Sequence, residues 1–125
     1  MRGRGLAGAV MVSCCALGIA GAAAQISPFR AGPNAPRLGA GDMDMIWRSA
    51  DALNADPAAQ PGASRAWHNP RTQDSGTVTL QRRFVRDGLP CHALHYTVSV
   101  RTEPTPRRYD VTWCRTKAGA WKIAN

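Results

Sequence analysis

The chain has 125 residues, with 16 Lys and Arg against 8 Asp and Glu and a formal net charge of +8 at pH 7. That length holds one domain with one core and excludes a second once any processed segment is removed. It carries no phosphate-binding glycine loop, no carboxylate pair at a suggestive spacing and no nucleophile elbow around Ser75, so it does not read as an enzyme and calls for no cofactor.

The first residues carry Arg2 and Arg4, followed by a run without charge from Leu6 to Ala24 that ends in Ala22-Ala23-Ala24 before Gln25. A basic start, an apolar middle and small residues at a cut site predict a secretory signal peptide over residues 1–24. Two other readings compete. The run approaches the roughly 20 residues of an uncleaved membrane anchor, and Cys14, after Met11-Val12-Ser13, is a candidate lipid-accepting cysteine of a lipoprotein. Ala and Gly dominate the run, which favours cleavage. All three readings imply export, to the periplasm or the outer membrane and cell surface.

Without Arg2 and Arg4 the remainder keeps 14 basic side chains against 8 acidic ones, a net charge near +6. A basic exported protein attracts anionic lipid or polysaccharide over long range. The candidate contacts are Arg82, Arg83 and Arg86, and Arg107 with Arg108; the simpler reading is scattered Arg that keeps a small domain soluble. Neither cluster has the aromatic interleaving of a single-strand platform, so no nucleic acid is expected.

Residues 25–41, rich in Pro, Gly and Ala with no apolar period, read as a flexible spacer. From Asp42, the residues Met43, Ile46, Trp47, Ala50 and Leu53 recur at steps of three and four, one face of a helix, with Asp42 placed to cap its start. Residues 54–64 end the helix and supply a loop. The rest predicts strands: Val78, Leu80 and Phe84 alternate with polar residues, broken at Arg82, which marks a bulge or an edge. After the turn Asp87-Gly88-Leu89-Pro90, one face carries Leu94, Tyr96, Val98 and Val100, and the other Cys91, His95, Thr97 and Ser99. Tyr109, Val111 and Trp113 share a face with Cys114 opposite, and Trp121 and Ile123 close the set. The fold class is α+β, one amphipathic helix before an antiparallel sheet of four to five strands, over residues 42–125.

Cys91 and Cys114 remain once the leader is gone, and an isolated pair in an oxidising compartment reads as a disulfide. The alternative is a zinc site from Cys91, His92, His95 and Cys114, although CHALH lacks the paired short spacings of structural zinc. In an antiparallel hairpin both thiols project from one side at nearly matching positions, so a bond should staple the two strands on the face away from the helix.

Trp67-His68-Asn69-Pro70, then Thr72, then Ser75-Gly76-Thr77-Val78-Thr79, resembles the W-x-N-P-x-T-G-x-S-G-x-V-T signature of the C-terminal domain of the 17 kDa surface antigen family of bacterial envelopes. Cys91 with Thr97-Val98, and Cys114-Arg115 with Gly119 and Trp121, resemble its later C-R-E-Y, T-V and C-R-x-x-x-G-x-W-x-I segments. The likeness covers roughly residues 42–125. It departs at Gln73, where the family's turn has glycine, at His92-Ala93-Leu94 and at Trp113.

The resemblance implies a non-catalytic envelope protein that supports or binds another, unknown envelope component. The alternative is a soluble periplasmic binder or inhibitor using the Arg clusters. Among the matched residues, Asn69-Pro70 is turn chemistry, Gly76 and Gly119 permit backbone angles that a Cβ forbids, and Trp67 and Trp121 bury apolar surface. Arg115 pairs with a carboxylate such as Asp110 or faces a ligand.

Overall fold

The computed structural model describes Phe29 and residues 35–124. The expected leader, with Cys14, and most of the expected spacer lie outside the described residues. The helix α1 (Asp42–Ala55) precedes five strands: β1 (Ser64–Asn69), β2 (Asp74–Arg86), β3 (Leu89–Ser99), β4 (Arg107–Arg115) and β5 (Trp121–Ile123). They form one antiparallel meander in the order β1-β2-β3-β4-β5.

The apolar stripe of α1 is buried as its spacing predicts, with Ile46, Ala50 and Leu53 sealed from solvent and Met43 and Trp47 half-buried. It packs against the sheet face that carries Val78, Leu80, Leu94, Tyr96, Val98, Val111 and Trp113. Inside that core the Trp113 indole donates from Nε1 to the Tyr96 hydroxyl at 2.8 Å, and burial pushes the Tyr96 hydroxyl pKa well above its ordinary value. Phe29 also belongs to the core, with ring centroids 5.3 Å from Tyr96 and 4.8 Å from Tyr109. Pro36 is buried and Leu38 half-buried, so parts of the segment expected as a spacer pack on the domain.

Asp42 does not cap the helix. Gly41, in the left-handed region at φ 89°, holds the N-cap position without a side-chain cap, and Asp42 is the fully buried first helical residue. Its carboxylate accepts from Asn69 Nδ2 at 2.7 Å, Thr72 Oγ1 at 2.7 Å and the Gly39 N–H at 2.8 Å. Burial pushes this carboxyl up, but hydrogen bonds from Asp74, Thr72, Asn69 and Gly39 outweigh that and hold it below its ordinary value. Asp74 moves the other way, raised by burial and by Asp42, so Asp42 is the member of the pair that holds its charge more strongly.

The bulge expected at Arg82 falls beside it in β2, and it corrects the face expected for Phe84. The pairing of β2 with β3 slips between Leu80 and Arg82, leaving Gln81 as the extra residue of a bulge. Beyond it Arg83 opposes His92 and Phe84 opposes Cys91, so Phe84 leaves the face of Val78 and Leu80 and Arg83 takes its place. On the outer face the Arg82 and Arg86 guanidinium carbons lie 4.4 and 5.5 Å from the Phe84 ring centroid.

Cys91 and Cys114 are directly opposed on β3 and β4 and joined by a disulfide, with Cα atoms 4.0 Å apart. The bond lies on the outer face, since the adjacent pair His92 and Trp113 lies on the helix side.

Candidate functional site

The sheet outlasts the helix. Residue Asp56 turns extended and Pro57 follows, which ends α1 at Ala55. The strands β2, β3 and β4 run on past that point, and their helix-side residues frame a cleft of about 670 Å³. Its floor is His92, 4% exposed, whose ring stacks on Trp121 at a centroid distance of 4.3 Å and an interplanar angle of 28°.

The hydrogen bonds around His92 fix its proton. Arg83 Nε donates to His92 Nε2 at 3.3 Å, and a guanidinium has no acceptor, so Nε2 carries no proton. Nδ1 therefore holds it and donates to Asn54 Oδ1 at 2.9 Å. The orientation of the Asn54 amide follows, because its oxygen must face the imidazole. Its nitrogen, Nδ2, is left buried without a hydrogen-bond partner among the described residues. Burial, and secondarily the Arg83 charge, lower the His92 pKa, so the ring is neutral at pH 7.

The cleft is cationic. Arg83 also donates from Nη1 to the Pro57 carbonyl at 3.3 Å, which satisfies a carbonyl just past the helix end. Arg115 rises on the helix side of β4, over the turn that Gly119 makes at φ +91°. It does not pair with Asp110, because the two lie on opposite faces of β4. Asp110 Oδ1 is instead 2.7 Å from His95 Nδ1 on the outer face. Arg115 has no ion pair among the described residues, and no carboxylate side chain lines the cleft.

The remaining sequence candidates fall elsewhere. Trp67, Asn69, Pro70 and Gly76 cluster at the β1–β2 hairpin, where Asn69 Oδ1 accepts from the Arg71 N–H at 3.0 Å as turn chemistry requires. Gly76 is not a matter of backbone angle: it opposes Trp67, and a Cβ there would collide with the Thr97 carbonyl oxygen and lie 2.7 Å from Trp67 Nε1. The five candidate arginines occupy two places. Arg82, Arg83 and Arg86 lie toward the β2–β3 turn, whereas Arg107, ion-paired to Glu103 at 2.8 Å, and Arg108 lie toward the other end of β3, opposite Val98 and Thr97. The four groups weighed for zinc do not converge, since both cysteines are spent in the disulfide and His92 and His95 point to opposite faces.

Sequence reasoning missed Asn54, which it placed in the loop. A signal was present: Asn54 follows Ala50 by four, a polar residue at the end of an otherwise apolar stripe.

Comparison with curated proteins and with solved structures returns no match. The sequence profile of the 17 kDa outer membrane surface antigen matches residues 54–122, a span from the cleft's Asn54 through β5's Trp121, and the chain belongs to that family.

Proposed function

We propose that the chain is a non-catalytic, exported cell-envelope protein whose single domain binds another envelope component through the cleft beyond Ala55. The observation that carries this reading is a cleft lined by two guanidiniums and by no carboxylate side chain among the described residues, with the buried Asn54 Nδ2 finding no acceptor among them either. Family membership supports the outer membrane or surface as its place. In this reading residues 1–24 are a leader removed before Gln25, residues 25–41 precede the helix and pack on the domain through Phe29, Pro36 and Leu38, and residues 42–125 hold its helix and strands.

The second reading is a soluble periplasmic binder that meets an acidic partner or lipid head group electrostatically. The outer-face ladder of exposed Arg82 and Arg86 on a half-buried Phe84 favours it. Fractionation of the expressing cell at low and high salt separates the two. Envelope association that survives high salt supports the first, release by salt supports the second, and a protein soluble at both ionic strengths refutes the first. Intact mass of the same material reports a start at Gln25, a lipidated Cys14 or an uncut chain.

A further inference from the structure

The cleft's polar inventory is one-sided. Asn54 Nδ2 is a buried donor without an acceptor among the described residues. Arg115 is an exposed guanidinium with no ion pair among the described residues, and Arg83 adds a second positive charge. His92 is neutral and both ring nitrogens are engaged. The Pro57 carbonyl already accepts from Arg83. Whatever enters must therefore bring acceptors and negative charge.

We propose that this cleft binds a carboxylate carried on a sugar ring, that is, an acidic saccharide; the inference rests on the binding role given above. A planar carboxylate matches the fork of Arg115, which donates two parallel N–H bonds. Sugar hydroxyls suit a donor-rich site because each can act as acceptor, whereas a peptide brings backbone N–H groups, and the lining side-chain acceptors, Asn54 Oδ1 and His92 Nε2, are already engaged. A volume of about 670 Å³ lies within the range of small-ligand sites and leaves room for one or two rings. The apolar walls suit the C–H face of a ring: Trp121 on one side, Pro90 and the 71% exposed Val85 on the other. The cleft is open to solvent, so a longer polysaccharide can continue out of it.

The test is titration of the disulfide-bonded exported protein with glucuronic acid, followed through the Asn54 side-chain amide and Trp121 indole resonances. Methyl glucoside, inorganic phosphate and an acetylated dipeptide with a free carboxylate serve as comparisons. Glucuronic acid should give saturable shifts at both groups, with each comparison at least about tenfold weaker. Arg115→Gln should weaken glucuronic acid about tenfold with an unchanged melting temperature, since Arg115 is exposed; Arg115→Lys, which keeps charge but loses the fork, should recover only part of it. No response to glucuronic acid, or an equal response to phosphate, to the neutral sugar or to the dipeptide, overturns the proposal. Should salt-resistant envelope association persist alongside such a failure, the ligand class falls and the envelope reading stands.

Discussion

Asn69 donates from one amide nitrogen to the Asp42 carboxylate at 2.7 Å and to the Ala40 carbonyl at 3.0 Å, so an asparagine in the β1–β2 turn anchors the start of a helix 27 residues earlier. Both Asn69 and Asp42 are sealed from solvent. Truncation by Asn69→Ala leaves a buried carboxylate short of a charge-assisted bond, at a cost of roughly 2–3 kcal/mol. Asn69→Asp should cost more, because it sets a third carboxyl beside Asp42 and Asp74. Denaturant unfolding of both variants checks the order.

Gly76 should tolerate no side chain. With Trp67 across the pair and the Thr97 carbonyl on its other flank, Gly76→Ala forces the indole or a strand to move, at roughly 1–3 kcal/mol. A red shift in tryptophan emission, from Trp67 losing its burial, should accompany the lowered stability.

Gln73 stands where the family's turn has glycine, and its backbone is left-handed at φ 64°. A Cβ costs about 1–2 kcal/mol there, partly offset by the greater unfolded freedom of glycine and by the Gln73 Nε2 bond to the Pro70 carbonyl. Gln73→Gly should therefore stabilise the protein by about 0.5 kcal/mol, visible as a raised melting temperature.

The Cys91–Cys114 bond closes a loop of 23 residues. Its removal by paired Cys91→Ala and Cys114→Ala should cost roughly 3 kcal/mol. Thiol counting on the denatured, unreduced protein should find no free thiol at these two positions.

His92 gives the fold a pH dependence on the acid side of neutrality. Its pKa is lowered by burial and by Arg83, so below the ordinary histidine value of 6.5 the unfolded chain takes up a proton that the folded chain refuses. The His92 contribution is therefore full above that pH and is lost progressively as pH falls from there through the lowered value of the folded protein. Melting curves between about pH 7.5 and 5.5 should show this slope, and His92→Gln should flatten it.

The helix, the strands and the disulfide were legible because each is written in neighbouring side chains. Met43 through Leu53 repeat at helical spacing, Leu94 through Val100 alternate, and the parity of Cys91 and Cys114 about their apolar faces placed both sulfurs on one side. Three features were not legible. Asp42 looked like a cap, yet its partners Asn69 and Thr72 come from a turn far along the chain. Phe84 looked like the continuation of Val78 and Leu80, but a single unpaired residue at Gln81 reversed every side chain after it. The cleft gathers Asn54, Arg83, His92 and Arg115 from α1, β2, β3 and β4, and its depth depends on the helix stopping before the sheet does. Local periodicity determines which face of an element is apolar. Register, and the relative lengths of packed elements, decide which polar groups meet, and those come only from the pairing of distant segments.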